Sequence, residues 1–108
     1  MATSKIETFI GFCVKSRNIT YGGDSIGTLK GGVFALLMCS TAAKNTLKLA
    51  LKYREKFNCP LVVCYCGLEN AVNKTGCKLA AVRDKNLAKA ITDNLDGNYK
   101  LYAEAVNG

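Results

Sequence analysis

Val33-Phe34-Ala35-Leu36-Leu37-Met38-Cys39 is an unbroken apolar run, and the architecture of the chain is read outward from it. A strand with one wet face alternates apolar and polar residues, whereas a strand covered on both faces is apolar throughout. This run is therefore expected to be a central strand with helices on each side. Leu61-Val62-Val63-Cys64 repeats the character, and Leu79-Ala80-Ala81-Val82 does so more weakly. Ile19-Thr20-Tyr21, short, β-branched and aromatic, reads as an edge strand.

The segments between these runs carry helical signals. From about Ala43 to Asn58, Leu47, Ala50, Leu51, Tyr53 and Phe57 fall on one arc, while Lys44, Lys48, Lys52 and Lys56 descend the opposite side at four-residue steps. The helix should stop at Cys59-Pro60, because the residue before proline avoids helical geometry. The lysine row is either the solvated side of an amphipathic helix or a second nucleic-acid contact. Ser4-Lys5-Ile6-Glu7 has the form of a capping box, followed by a stripe of Ile6, Phe9, Ile10 and Cys13 on a helix running to about Ser16. A short helix is expected from about Leu68 to Lys74. A longer one should be capped by Asp84, with Leu87, Ala88, Ile91 and Leu95 inward. Beyond Gly97, the spacing of Tyr99, Tyr102 and Val106 suggests a final helix.

The order of these elements implies an α/β fold, a three-layer α/β/α sandwich with a four-stranded mixed sheet between helices. Residues 1–108 read as one domain, with 97–108 as a C-terminal helical extension.

Gly22 to Gly32 is the most unusual stretch, with five glycines in eleven residues. Such a backbone turns freely and lets a ligand approach closely. Asp24 or Ser25 should cap a short helix ending at Gly31 and Gly32, which suit a left-handed C-terminal cap.

Fifteen Lys and Arg against eight Asp and Glu give a net charge of +7, a field that attracts polyanions and makes nucleic acid the first partner to consider. The polar start of the chain lacks the apolar run of a secretory signal, and nowhere is there an apolar stretch long enough to span a membrane. A soluble cytoplasmic protein is expected. Its six cysteines read as reduced, buried thiols. Cys64-Tyr65-Cys66 should send both thiols to one face of a strand, and its single intervening residue is too short for a zinc ribbon.

Catalysis is not expected. Without any histidine the Cys-His and Ser-His-Asp arrangements cannot be built, and no P-loop pattern occurs. Neither Cys13 nor Cys77 shows a nearby base that would make it a nucleophile.

Three further pieces, Ala42-Ala43-Lys44-Asn45-Thr46, Leu68-Glu69-Asn70-Ala71-Val72-Asn73-Lys74 and Val82-Arg83-Asp84, complete a pattern with the glycine-rich turn. In their order and spacing, over about residues 5 to 95, they resemble the kink-turn-binding large-subunit ribosomal protein family, the L-seven-Ae type, and its small stand-alone bacterial members. The resemblance implies a non-catalytic RNA-binding component of a ribonucleoprotein, needing no cofactor, taking no small-molecule substrate and acting as a monomer. Its partners would be kink-turn or ribosomal RNA, with the ribosome as its setting.

In that family a Gly-x-Asn-Glu-x-x-Lys pattern opens the second helix on the RNA, and a Leu-Gly-x-Ala-x-Gly loop packs near an extruded base. By resemblance, Gly22 takes the glycine position, Asp24 the Asn, Ser25 the Glu and Thr28 the Lys, with Gly23 beside them. Leu68 and Ala71 keep their positions in the later loop, whereas Glu69 and Asn73 stand where glycines are usual. Lys30, Lys74 and Lys78 would meet phosphates. An ionised Asp24 can only accept hydrogen bonds, and Thr28 removes a cation. Those departures frame the competing expectation, a protein-interaction module on the same fold with a degenerate RNA face.

Overall fold

The computed structural model describes residues 5–65 and 67–102. Its elements follow the chain as α1 (Lys5–Lys15), β1 (Ile19–Tyr21), α2 (Gly23–Gly27), β2 (Ala35–Cys39), α3 (Lys44–Phe57), β3 (Leu61–Cys64), α4 (Leu68–Val72), β4 (Leu79–Val82), α5 (Lys85–Asp93) and β5 (Tyr99–Leu101). The strands form one mixed sheet in the order β1-β4-β2-β3-β5. Only β2 and β3 run parallel; the remaining pairs are antiparallel. The long α3 makes the crossover that a parallel pair requires. β1 lies at one edge, as its length and composition suggest.

Side-chain alternation divides the core in two. Ala35, Leu37 and Cys39 of β2, Val62 and Cys64 of β3, and Ala80 and Val82 of β4 join Ile6, Ile10 and Cys13 of α1, Leu68 and Val72 of α4, and Ala88 and Ile91 of α5. The intervening Leu36, Met38, Leu61, Val63, Leu79 and Ala81 face the other way, onto Ile26 of α2 and Ala50 and Tyr53 of α3. The sheet is thus covered on both sides, and every residue of β2, β3 and β4 is buried.

Three expectations are corrected. The sheet has five strands rather than four, because residues 99–101 form β5 against β3 instead of a helix. Two tyrosines three apart share a face on a helix but take opposite faces of a strand. Here Tyr99 is fully buried among the α1, α4 and α5 side chains, while Tyr102 packs on the α2 and α3 side. The reversal that makes this possible is an Asp turn, in which Asp96 Oδ1 accepts from the backbone N–H groups of Asn98 at 2.8 Å and Tyr99 at 3.2 Å. Second, α2 is capped by neither Asp24 nor Ser25, which lie within it; its N-cap is Gly22, with no side-chain bond, and it ends at Gly27 with Thr28 as its C-cap, while Gly32, at φ +75°, turns the chain into β2 instead of capping a helix. Gly31 has no positive φ. Third, α4 stops at Val72, two residues short of Lys74, at a left-handed Asn73.

Asp84 does cap α5, accepting from the Leu87 N–H at 2.9 Å. Asn58, left-handed at φ +51°, closes α3 just before Cys59-Pro60. The five described cysteines, Cys13, Cys39, Cys59, Cys64 and Cys77, are buried, and Cys13, Cys39, Cys59 and Cys77 are free thiols. The Ser4 cap, Cys66 and Val106 lie outside the described residues. Among the described residues no helix is long and apolar enough to cross a membrane.

Candidate nucleic-acid interface

β1 ends at Tyr21, and Gly22 donates its N–H to the Leu79 carbonyl at 2.9 Å, which fixes the start of α2 against the start of β4. The carboxyl ends of β2 and β3 lie at the same end of the sheet: Cys39 donates its N–H to the Lys78 carbonyl at 2.9 Å, and Ser40 donates to that of Cys64 at 3.0 Å. Loops at the carboxyl ends of strands are where open α/β sheets hold their ligands.

The glycines of this region do different work from the close approach to a ligand that their number suggests. Of Gly22, Gly23 and Gly27, Gly22 has a positive φ, +86°, with open space where a side chain would point, so its backbone conformation is what demands glycine. Gly23 and Gly27 instead face α3. A Cβ on Gly23 would sit 2.8 Å from Leu49 Cδ1, and one on Gly27 only 2.7 Å from the Tyr53 hydroxyl oxygen. That hydroxyl donates to the Gly23 carbonyl at 2.8 Å, tying α2 to α3. Asp24 and Ser25 are left exposed. Thr28 is exposed too, and its hydroxyl is turned back to the Ser25 carbonyl at 2.7 Å.

Two lysines of the α4–β4 loop come to this end. Lys74 places Nζ 5.2 Å from the centre of the Tyr21 ring, a cation–π contact that holds the loop over the end of β1. Lys78 Nζ donates to Thr41 Oγ1 at 3.2 Å and lies 3.5 Å from Glu69 Oε2, so part of its charge is offset. Thr41 in turn lies 3.1 Å from the Cys39 sulfur. Burial pushes the Cys39 thiol up, but hydrogen bonds from the Thr41 side chain and from backbone N–H groups of Leu68 and Thr41, with the charge of Lys78, outweigh it and leave the thiol below its ordinary 9.0.

Asn73 sits at φ +55° and ψ +47°, the left-handed geometry that a glycine typically supplies; asparagine tolerates it better than most residues, so the replacement keeps the loop's path.

Two anticipated contacts are not brought to this surface. Leu68 has 0 % exposure and belongs to the core, so it cannot touch a nucleic acid. Lys30 is exposed, but it precedes by two residues Gly32, whose carbonyl accepts from Arg83 Nε at 2.8 Å beyond the far end of β4. The four residues of β4 span about 13 Å, which separates that neighbourhood from Lys78. Ala71 is half-buried against the core and lines a groove of about 290 Å³ with Glu7, Gly67 and Asn70. Tyr21 and Thr41 were not singled out in the sequence. The signal that could have found them is their position, one closing a strand and the other two residues beyond the end of the central one.

No protein-family model matches the sequence, and no curated protein matches it. Solved structures do. One, a protein of unknown function from Bacillus halodurans, superposes with a TM-score of 0.70 at 18% identity, covering 84% of this chain and 96% of its own. At that identity the likeness establishes a shared α/β fold.

Proposed function

We propose that this chain is a non-catalytic RNA-binding protein, a cytoplasmic, ribosome-associated monomer whose ligand is a structured RNA of the kink-turn or ribosomal kind. The observation that carries the reading is the gathering of Lys74 and Lys78 with the Tyr21 ring beside the exposed, positive-φ Gly22. Ammonium groups supply the phosphate contacts that dominate affinity, and the net charge of +7 adds long-range attraction. Asp24, Ser25 and Thr28 line the exposed side of α2 next to this cluster, where polar side chains would meet the RNA by shape.

The test is a gel shift with a kink-turn RNA and a straight duplex over a salt series, using the wild type and K74Q/K78Q. The double variant should bind more weakly, with the slope of log affinity against log salt shallower by about 2. Equal and negligible binding of the wild type to both RNAs at low salt ends the reading.

One observation favours the second reading, a protein-interaction module. The exposed Asp24 and the Glu69 carboxylate beside Lys78 place negative charge on the same surface, which suits a polar protein partner better than a phosphate backbone. A partner retained after nuclease treatment, and lost in D24K, supports that module.

A further inference from the structure

Away from the mixed charges of the loops at the sheet end, the outer face of α3 concentrates positive charge. Lys44, Lys48 and Lys52 are all exposed on the outer face of α3 and make no hydrogen bond or ion pair among the described residues. Lys56, which continues the row, is engaged differently. Its Nζ donates to the Gly27 carbonyl at 3.3 Å and lies 5.1 Å from the centre of the Phe57 ring. Glu55, the acidic residue of α3, is beside that end of the helix. Residues 44–52, about two and a half turns, therefore carry three lysines and no carboxylate.

Like charges four residues apart on a helix repel, at a cost of a few tenths of a kcal/mol per pair. A polyanion laid along the face would reverse the sign of that interaction. Each four-residue step advances about 6 Å along the helix axis, a spacing comparable with that of successive phosphates on one strand. The row also continues the surface already described. α3 begins three residues after Thr41, whose hydroxyl accepts from Lys78. A nucleic-acid strand leaving the Lys74 and Lys78 cluster would meet Lys44 next.

The geometry points to the Lys44, Lys48 and Lys52 face of α3 as a second docking surface, for the phosphate backbone of a duplex flanking the RNA held at the sheet end. This rests on the RNA-binding reading above. Leu47, Leu49 and Leu51 pack against the core, so the outer face offers lysines without the exposed apolar wedge that a membrane-surface helix uses.

The experiment measures the wild type, K48Q/K52Q and K74Q/K78Q against a kink-turn RNA with a long flanking helix and against the same RNA with that helix trimmed, over a salt series. K48Q/K52Q should lose about tenfold in affinity for the long RNA at low salt, with a slope shallower by about 2, and bind the trimmed RNA as the wild type does. Its far-UV circular dichroism should equal the wild type's, and its melting temperature should be no lower, since the substitutions relieve like-charge repulsion. Unchanged affinity and slope on the long RNA in K48Q/K52Q, with binding lost in K74Q/K78Q, overturns this inference and leaves the first reading standing. Absence of wild-type binding to either RNA sinks both. Binding of the wild type to vesicles containing anionic phospholipid, lost in K48Q/K52Q while RNA affinity is kept, assigns the face to a membrane and likewise overturns the inference.

Discussion

Replacing Gly27 by alanine tests the account of the glycine-rich turn. On an isolated helix the change would help, since alanine exceeds glycine in helix propensity by about 1 kcal/mol. Here the new methyl would lie 2.7 Å from the Tyr53 hydroxyl oxygen and 3.5 Å from Cζ. Tyr53 is buried, 6 % exposed, and its hydroxyl is already bonded to Gly23, so it cannot swing away freely. Overpacking of this kind costs about 1–3 kcal/mol, and a displaced hydrogen bond adds about 1 kcal/mol. Set against the propensity gain, G27A should be destabilised by about 1–3 kcal/mol. Equilibrium urea unfolding followed by far-UV circular dichroism would report this as a lower midpoint with an unchanged slope. The sharper form is a double-mutant cycle. Y53F removes the oxygen that the methyl would strike, so G27A should cost at least about 1 kcal/mol less in that background than in the wild type. A G27A protein as stable as the wild type, or a cycle with no coupling, refutes the claim that α2 needs glycine there because of α3.

Three other outcomes follow from the same packing. L68A should lose about 2–5 kcal/mol by the same urea assay, because Leu68 is fully enclosed by the core; a near-neutral effect would place it at the surface after all. D84A should cost about 1 kcal/mol, seen as a melting temperature lower by roughly 4–8 °C, while D84N keeps most of the cap; equal losses in both would discount the bond to Leu87. Burial, with the Asp84 charge adding to it, raises the Cys13 thiol from 9.0 to about 11, and burial alone does the same for Cys59. Their contribution to stability is complete below the pKa of the unfolded thiol, and it is lost as rising pH ionises the unfolded chain first. The urea midpoint should fall from pH 9 to pH 11, and less steeply in C59A than in the wild type. An equal slope in C59A contradicts the assignment for that thiol.

Much of the fold is legible in the residues because burial on both faces leaves a signature that few alternatives share. Leu61 to Cys64 and Leu79 to Val82 are strands over the very residues whose apolar runs suggest them. β5 is illegible for the opposite reason: Tyr99 and Tyr102, three apart, fit a helix face as well as two faces of a strand. What decides between them is the Asp96 turn, whose side-chain bonds are local and leave no periodicity. At the candidate site, Lys74 and Lys78 are placed near Gly22 as their positions in the chain suggest. Lys30 and Leu68 are not, since one depends on where α2 stops and the other on which side of α4 faces the sheet.

The glycines bear on how any experiment at this surface is read. Composition alone makes Gly22, Gly23 and Gly27 look like one device for approaching a ligand, yet two of them face α3 and hold α2 at its distance from Leu49 and Tyr53. The exposed Asp24 and Ser25 are carried on that same short helix, so a change at Gly27 or Tyr53 would move that exposed side without touching it. On the proposed RNA-binding reading, G27A loses affinity even if Gly27 meets no phosphate. The two causes separate by salt dependence. Displacement of α2 lowers affinity with little change in slope, because Lys74 and Lys78 are anchored on Tyr21 and Thr41 rather than on α2, whereas removing a phosphate contact changes the slope itself.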